Sequence, residues 1–309
     1  HLQDELTVQG HDSKIFDYKN IFSNKIDHGI SSLSSNYVFY KNKSILDEVL
    51  NFKPDIVIGT YRDIHPFVVK EIKQNKVKII HINPDQLTTL KNQQLFVEPY
   101  DLYFSKDKYI VNFIKKKLAL NAHLYHEAFN PRIHFSNSEN FRLEEEKTDI
   151  DVLCFGNLYP YRNRMLQLLK ISDINLELYG RKAKYFNPYL NKEFKNKGIY
   201  GKEKSKRLNG SKIVFNNFHY AEIESVNNKF FEINGIGAFQ ICDYKPILHD
   251  LLPIDPKRIS FESIDEAVNL IDYYLHNEEE RWDIRRTIKQ HFIENHTYEK
   301  LIDFIFSKL

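Results

Sequence analysis

Short apolar runs alternate with longer amphipathic segments along the chain. In the amino-terminal part, the apolar runs have the length and flanks of strands, and the segments between them have helical spacing. Strands are predicted at Ser13–Tyr18, Pro54–Thr60, Val77–Ile82 and Asp101–Ser105. Helices are predicted at Leu2–Gly10, Ser44–Phe52, Pro66–Asn75 and Lys108–Leu118. Continuous apolar strands between helices indicate a parallel sheet that is covered on both faces.

The same alternation resumes in the carboxyl-terminal half. Strands are predicted at Ile150–Phe155, Asn175–Tyr179, Lys212–Asn216, Ala238–Cys242 and Arg258–Phe261. Ser263 and Glu266 have the spacing of a capping box, which predicts a helix that ends near His276. Further helices are predicted at Glu278–Glu294 and from a Thr297 cap to Phe306. The fold class is therefore α/β, with two halves of the same Rossmann-like type.

A stretch of different composition separates the two halves. Residues 135–148 are rich in Ser, Asn and Glu and show little apolar periodicity, so we place a domain boundary at 138–148. We predict an amino-terminal domain at 1–143, a second domain at 144–285, and terminal helices at 286–309. A domain of this type usually opens with a strand, and we expect that strand to precede His1.

Composition narrows the class of protein. An apolar content of 42% supports a packed core, and a net charge of +2 requires no polyanionic partner. Cys154 and Cys242 lie in separate apolar runs, which predicts buried free thiols rather than disulfides or a metal site. Because no run approaches the ~20 apolar residues of a membrane span, we expect a cytoplasmic protein without a transmembrane segment. A peripheral contact with a membrane surface is compatible with this composition.

The stretch from Tyr220 to Tyr244 carries the strongest candidate chemistry. It contains Glu224 and Glu232, and we expect a helix to begin near Ser225. Carboxylates eight positions apart on a helix are about 12 Å apart along the axis and roughly 80° apart around it, which suits the two ends of one long ligand. The free N–H groups of the helix start favour a phosphate between them. The pattern indicates a nucleotide-sugar, whereas an amphipathic helix with solvated glutamates is the alternative.

Two further segments supply candidate contacts to a diphosphate. Gly156 and Asn157 follow a predicted strand, where a glycine lets a ligand approach the backbone, and Arg162 and Arg164 come next. The segment 181–212 holds eleven Lys and Arg residues and only two acids, which favours a phosphorylated donor or an anionic acceptor. A βα turn with solvated arginines and a solvated lysine face are the alternatives. No aromatic-interleaved RNA motif accompanies the charge, so we predict no nucleic-acid partner.

An acceptor is expected to bind the first domain. Tyr61-Arg62-Asp63-Ile64-His65 and Asn83-Pro84-Asp85 each follow a predicted strand, and open α/β sheets bind ligands at the carboxyl ends of their strands. Asp85 or His65 can orient or deprotonate an acceptor hydroxyl. Ordinary turn chemistry is the alternative for both segments.

The order of these motifs resembles the CgeB-like (spore maturation protein) glycosyltransferases, which have the GT-B fold. Glu224 and Glu232 also resemble the paired glutamates of retaining GT-B enzymes. The resembling pieces are IDVLCFGNLYPYRNR (150–164), LELYG (176–180), KSKRLNGSKIVFN (204–216), NNKFFEINGIGAFQICDY (227–244) and ENHTYEKL (294–301). The chain has Lys229 where the family usually has arginine, and lysine keeps the charge but lacks the planar fork of a guanidinium.

The resemblance implies two Rossmann-like domains that face a cleft, with the nucleotide-sugar donor on the second domain. It also implies that the terminal helices at 286–309 pack back on the first domain. It implies donor contacts by glycines, amides, cations and one acid: Gly156, Asn157, Arg162, Arg164, Gly180, Arg181, Lys204, Asn227, Lys229 and Glu232. Glu224 would contact the transferred sugar, which passes with retention to a glycan or lipid-linked acceptor. GT-B enzymes generally need no metal, so we read Asp149-Ile150-Asp151 as a strand entry and expect no cofactor.

Two other functions are compatible with the same residues. One is a nucleotide-sugar-binding partner without transfer activity. The lysine at position 229, in place of the family's usual arginine, is compatible with this function. The other is a sugar-nucleotide epimerase of the GT-B fold, which acts on the donor alone. Hydrolysis of the donor and analysis of its products distinguish these functions from glycosyl transfer.

Overall fold

The computed structural model describes residues 1–16, 24–60, 64–85, 94–136, 140–169 and 174–309. They form two compact units: unit 1 comprises His1–Tyr125 and Phe306–Leu309, and unit 2 comprises His126–Ile305. Within the described ranges, no helix is both long and apolar enough to span a lipid bilayer.

Unit 1 is built on a four-stranded parallel sheet in the order β1-β2-β3-β4. Its strands are β1 (Ile56–Thr60), β2 (Lys78–Asn83), β3 (Leu102–Ser105) and β4 (Ala122–Leu124). Its helices are α1 (Leu2–Val8), α2 (Asn24–Leu33), α3 (Ser35–Phe52), α4 (Pro66–Gln74) and α5 (Lys108–Leu118). Val69 and Ile72 of α4 pack on Ile79 of β2 in a fully buried core, which is why these apolar residues specify a helix on a sheet.

Unit 2 is built on a five-stranded parallel sheet in the order β6-β5-β7-β8-β9. Its strands are β5 (Ile150–Phe155), β6 (Leu176–Tyr179), β7 (Ser211–Asn216), β8 (Gln240–Asp243) and β9 (Ser260–Phe261). Its helices are α6 (Phe141–Thr148), α7 (Pro160–Leu168), α8 (Gly201–Gly210), α9 (Asn228–Ile236), α10 (Leu248–Leu251), α11 (Ile264–His276) and α12 (Glu278–Asn295), followed by α13 (Tyr298–Phe306). The strand order reverses between β5 and β7, and open α/β sheets bind ligands at such a point.

The helices of unit 2 cover both faces of its sheet. Because side chains alternate across a strand, Cys154 and Leu153 of β5 enter two different cores. Cys154 packs in one core with Leu166 of α7, and Leu153 packs in the other with Leu208 of α8 and Ile233 of α9. Because β6 lies on one side of β5 and β7 to β9 lie on the other, right-handed crossovers place α7 on one face of the sheet and α8 and α9 on the other. Phe230 and Phe231 of α9 also reach the first core.

The α/β class and most of the predicted elements are confirmed. In the capping box, the Glu266 N–H donates to Ser263 Oγ at 3.2 Å, and Glu266 Oε2 accepts from the N–H of Glu262 at 2.8 Å. Both cysteines are free and buried, as predicted.

Several predicted elements of the first half are wrong. Residues 13–16 form no strand, and the rest of the predicted strand lies outside the described residues. Ile15 is exposed there, so its apolar side chain does not mark a core position. Helix α3 begins at Ser35 because Ser34 Oγ accepts from the Tyr37 N–H, nine residues before the predicted start at Ser44. The helix α2 and the short strand β4 were not predicted.

The division between the units follows Tyr125, before the predicted boundary at 138–148. The segment after Tyr125 packs into unit 2, where the Phe129 N–H donates to the His296 carbonyl and the Phe129 side chain joins the core. Residues 141–148 form α6 rather than a linker, and its Glu145 is buried. Of the predicted terminal segment, α12 packs on α9 within unit 2, and residues 306–309 belong to unit 1.

Candidate functional site

Two glycines hold the loops after β5 and β6 against each other. The Gly156 N–H donates to the Tyr179 carbonyl at 2.9 Å, and Gly156 and Gly180 have φ values of +110° and +138°. A Cβ on Gly180 would stand 1.9 Å from the Gly156 carbonyl oxygen, so no other residue fits at position 180. Backbone therefore lines the carboxyl edge of the sheet where its strand order reverses.

Arg162 lies near the start of α7 and connects the loops after β5 and β7. Its Nε donates to Asn217 Oδ1 at 2.8 Å, its Nη1 to the Asn157 carbonyl at 2.8 Å, and its Nη2 to the Asn217 carbonyl at 3.1 Å. The side chain is buried. Three of its donors hold the protein's own loops, which positions the edge of the sheet, and the predicted contact of Arg162 with a diphosphate stays a prediction.

Lys229 is the second residue of α9 and points to the end of β5. Its Nζ donates to the Phe155 carbonyl at 3.2 Å and lies 5.2 Å from the centroid of the Phe155 ring. A Cβ built on Gly156 would be 3.6 Å from Nζ and 3.3 Å from Arg162 Nη1, so the absent side chain leaves both cations next to the loop. Burial, together with the nearby Arg162 charge, lowers the pKa of Lys229 to about 7.

Helix α9 begins at Asn228, three residues after the predicted start near Ser225. Asn227 caps it because Asn227 Oδ1 accepts from the Phe230 N–H at 3.1 Å. The same amide exchanges hydrogen bonds with Asn216 at the end of β7, and Asn216 also donates to Gln240 of β8 at 3.0 Å. Asn227 is thus a cap within an amide network, and the first N–H groups of α9 point to the carboxyl edge of the sheet.

Glu232 lies one turn further along α9 and is buried among polar partners. Lys204 Nζ donates to its Oε2 at 2.9 Å, and Asn228 Nδ2 donates to its Oε1 at 3.4 Å. His134 Nε2 lies 3.5 Å from Oε1. Since the Asn130 N–H donates to His134 Nδ1 at 3.3 Å, the neutral ring carries its proton on Nε2, facing the carboxylate. Burial lowers the pKa of His134, which favours that neutral form.

Glu224 is not on the helix that carries Glu232. It is exposed in the loop before Asn227, so the helical separation predicted for the two carboxylates is wrong. The cap at Asn227 is the reason, because it starts the helix after Glu224 rather than beside it. The predicted contact of Glu224 with a sugar stays a prediction.

Arg164 and Arg181 are exposed, as is Asn157, whereas the other predicted donor contacts are buried or half-buried. Arg164 Nη1 donates to Gln167 on the surface of α7 at 3.3 Å, away from the loops that Arg162 joins. Arg181 follows Gly180, and its carbonyl accepts from the Leu158 N–H at 3.0 Å. The structure therefore brings together Gly156, Asn157, Arg162, Gly180, Lys204, Asn227, Lys229 and Glu232.

The candidate acceptor residues lie in unit 1. His65 caps α4, where its Nδ1 accepts from the Phe67 N–H at 3.2 Å. Asp85 follows β2 in a turn in which Asn83 Nδ2 donates to its carbonyl at 2.7 Å. Both follow neighbouring strands, and their direct roles stay predictions. Residues 61–63 of the first candidate segment lie outside the described residues.

Sequence reasoning missed several polar groups of this site. His134 and Asn217 were not predicted, although they contact Glu232 and Arg162. Asp243, at the end of β8, accepts a hydrogen bond from the Phe218 N–H, and burial raises its pKa. Polar residues at the ends of buried apolar strands were the available signal, because such groups need hydrogen-bond partners.

Asp151 and the basic segment 181–212 form ion pairs within the protein. Asp151 Oδ1 lies 2.7 Å from Lys212 Nζ at the amino end of β5, opposite the glycine loops. In the basic segment, Lys195 pairs with Glu177 at 2.8 Å and Lys197 pairs with Glu203 at 2.8 Å. No group of three or more metal-ligating side chains occurs in the described part of the chain.

Comparisons with known proteins bear on the fold and on the carboxyl-terminal half of the chain. The family model described as glycosyl transferase-like matches residues 162–307. A glycosyltransferase from Rickettsia africae superposes with a TM-score of 0.65 at 11% identity, over 99% of this chain and 91% of that chain. Sucrose-phosphate synthase from Thermosynechococcus elongatus superposes with a TM-score of 0.69 at 10% identity, also over 99% and 91%.

A third similar structure contains ligands. HepE of Anabaena, solved in complex with UDP and glucose, superposes with a TM-score of 0.65 at 11% identity, over 98% of this chain and 88% of that chain. No curated protein sequence matches the chain. Identities this low show the fold alone, and that fold is GT-B.

Proposed function

We propose that the chain, which has the GT-B fold and matches the glycosyl transferase-like family model over residues 162–307, is a glycosyltransferase. We propose that it moves a sugar from a nucleoside-diphosphate donor to a glycan or lipid-linked acceptor. The observation that carries this proposal is the row formed by Lys229, the start of α9 and the Glu232–Lys204 pair. HepE, with its bound UDP and glucose, supports this class of donor. The order of the motifs supports a CgeB-like member of the glycosyltransferases.

The proposed donor lies along the start of α9. Its diphosphate accepts hydrogen bonds from the N–H groups of Asn228 and Lys229 and from the Lys229 ammonium, while Gly156 leaves room for its oxygens. Its ribose hydroxyls donate to Glu232, whose carboxylate Lys204 and His134 hold in place. These contacts orient the anomeric carbon for transfer.

The proposed chemistry places its largest charge on the leaving diphosphate. The bond between the anomeric carbon and the phosphate oxygen breaks, and the electron pair stays with that oxygen. The acceptor oxygen forms the new glycosidic bond, and its proton passes to the leaving phosphate, which accounts for retention without a protein base. Lys229 and the helix N–H groups stabilise the developing charge because they are already oriented toward it.

Replacing Glu232 with alanine tests the position of the ribose. We expect UDP to bind about 10- to 100-fold more weakly, because the ribose loses a charged acceptor and Lys204 loses its partner. Calorimetry of UDP binding measures the effect. Glu203→Ala is the matched control, since Glu203 is exposed on the same helix as Lys204. Unchanged affinity in Glu232→Ala would contradict the ribose role.

Replacing Glu224 with alanine separates contact with the sugar from contact with the nucleotide. We expect the transfer rate to fall about tenfold or more while UDP affinity stays within about twofold, because the proposed contact is made to the transferred sugar. Initial rates of UDP release and calorimetry measure the two quantities. A fully active variant would remove Glu224 from the site.

Chelation tests the proposed independence from metal. We expect activity to survive EDTA, because an ammonium and helix N–H groups supply positive charge at the diphosphate. Asp151, the paired acid of the DxD triplet, is bound to Lys212 at the other end of β5. The measurement is the initial rate with and without EDTA. Activity that is lost and then restored by Mn²⁺ would show that the reaction needs a metal.

A further inference from the structure

Four aromatic rings form a cluster on the loops after β5 and β7. The rings of Tyr159 and Tyr161 stack with centroids 6.2 Å apart, and each meets the His219 ring edge-on at 5.6 Å. The Tyr220 ring lies 4.2 Å from the His219 ring and meets Tyr161 edge-on at 5.7 Å. We call these four residues the aromatic cluster. Two separate loops build it, so tertiary structure rather than local sequence assembles it.

The cluster combines open ring faces with a polar rim. Tyr220 is 79% exposed and Tyr159 is 39% exposed. Around them, Asn157 Nδ2 donates to the Tyr159 hydroxyl at 3.2 Å, and the Tyr161 hydroxyl donates to the Phe218 carbonyl at 3.2 Å. A sugar ring has the matching surface, because it presents apolar C–H groups on its faces and hydroxyls at its edge.

His219 adds a hydrogen-bond donor beneath the open rings. Its Nδ1 accepts from the Ala221 N–H at 3.1 Å, so the neutral ring carries its proton on Nε2. Burial raises the pKa of Tyr161, which keeps its hydroxyl protonated and bound to the Phe218 carbonyl. Hydrogen bonds therefore fix the inner side of the cluster, and its aromatic surface suits an uncharged ligand.

The aromatic cluster and the proposed ribose site lie at opposite ends of the row of proposed donor contacts. Glu232 and Lys204 belong to α9 and α8, which cover one face of the sheet. Tyr161 is the second residue of α7, which covers the other face. The glycine loops and Lys229 lie between them, at the end of β5. The cluster also contacts the glycine loop after β5 directly, because Asn157 of that loop donates a hydrogen bond to the Tyr159 hydroxyl.

We propose that Tyr159 and Tyr220 form a stacking platform for a pyranose ring of the saccharide acceptor. The proposal rests on the proposed function and adds a specificity surface to it. The acceptor is favoured over the donor sugar because the ring of Tyr220 is largely open, which leaves space for a saccharide that continues into solvent. A donor sugar, in contrast, is tethered to a diphosphate beside Lys229.

An array of neutral saccharides, probed with labelled full-length chain in the presence of UDP, tests this platform. We expect the chain to retain at least one saccharide, and Tyr220→Ala and Tyr159→Ala to weaken that retention about tenfold. Tyr220→Trp should preserve retention, because a larger ring still stacks. The matched control is Tyr185→Ala, whose tyrosine is 70% exposed outside the cluster. UDP affinity in calorimetry should stay within about twofold in every variant.

Each other outcome has a distinct meaning. Retention of no saccharide, or equal retention by the alanine variants, overturns the platform. If the variants lose affinity for UDP-glucose but not for UDP, the cluster holds the donor sugar and the acceptor assignment is wrong. If the unmodified chain fails to bind any nucleoside diphosphate or its sugar, the proposed function fails instead.

Discussion

Replacing Glu145 with alanine is expected to lower the free energy of unfolding by about 3–5 kcal/mol. Glu145 of α6 is buried between two arginines of α12: it binds Arg281 through Oε2 and Arg285 through Oε1, the latter at 2.7 Å. Trp282 Nε1 donates to Oε1 at 3.1 Å. Alanine would leave two buried guanidinium groups without their anion, and this penalty exceeds the loss of one hydrogen bond.

Urea unfolding followed by circular dichroism measures this change. Glu146→Ala is the matched control, because Glu146 is the next residue of the same helix and is exposed. Its free energy of unfolding should change by less than about 0.5 kcal/mol. A Glu145→Ala variant as stable as this control would show that the arginines do not depend on Glu145.

The loss of Glu145 should also reach the candidate site. Arg285 donates through Nε to the Gly237 carbonyl at 2.7 Å, at the carboxyl end of α9, and through Nη2 to Asn209 of α8. Burial lowers the pKa of Arg285 to about 10, so it remains charged at neutral pH and holds both helices. These two helices carry Glu232 and Lys204, so the buried ion cluster supports the helices that position both residues.

Replacing Lys229 with alanine is expected to weaken UDP-glucose binding about 10- to 100-fold, because a hydrogen bond between charged groups is lost at the diphosphate. Isothermal calorimetry measures the affinity. Lys206→Ala is the control, since Lys206 is exposed on α8 and outside the row of donor contacts. Equal affinities of the two variants would contradict a diphosphate at the start of α9.

The affinity for UDP-glucose should also depend on pH through Lys229. Its pKa of about 7 in the free protein means that the ammonium is charged below pH 7 and increasingly neutral above it. Because the diphosphate binds the charged form, affinity should be highest below pH 7 and fall by up to about tenfold per pH unit above it. Lys229→Arg should remove this dependence, since arginine stays charged. A parallel decline in Lys229→Arg would assign the dependence to another group.

The contribution of Lys229 to the stability of the free protein should change with pH in the opposite direction to the affinity for UDP-glucose. The unfolded chain has an ordinary lysine pKa of 10.5 at this position and binds more protons than the folded chain between about pH 7 and that value. The Lys229 contribution to stability therefore rises with pH across this window. Comparison with Lys229→Met isolates that contribution.

Local sequence patterns predicted most of the sheet strands and many helix ends. The runs Ile150–Phe155 and Ser211–Asn216 are apolar throughout most of their length because both faces of a parallel sheet are buried. The Ser263 cap and the glycines at 156 and 180 were equally visible, since capping and positive φ depend on a few adjacent residues. Those patterns also predicted which loops meet at the carboxyl edge.

The structure of α6 shows where such patterns fail. Its buried residues are Phe141 and Glu145, and a carboxylate at an interior position removes the apolar periodicity that marks a helix. The carboxylate is stable there only because Arg281 and Arg285 approach from 136 and 140 residues away in sequence. The predicted linker is therefore a packed helix.

Periodicity, capping and glycine positions in the sequence specified the α/β class, the alternation of strands and helices and part of the candidate site, because each of these signals acts over a few positions. What each side chain binds follows instead from the folded arrangement. Folding turned Arg162 toward Asn217, brought His134 to Glu232, and started α9 after Glu224. Hydrogen bonds and desolvation depend on groups that meet through folding, so no local pattern contains them.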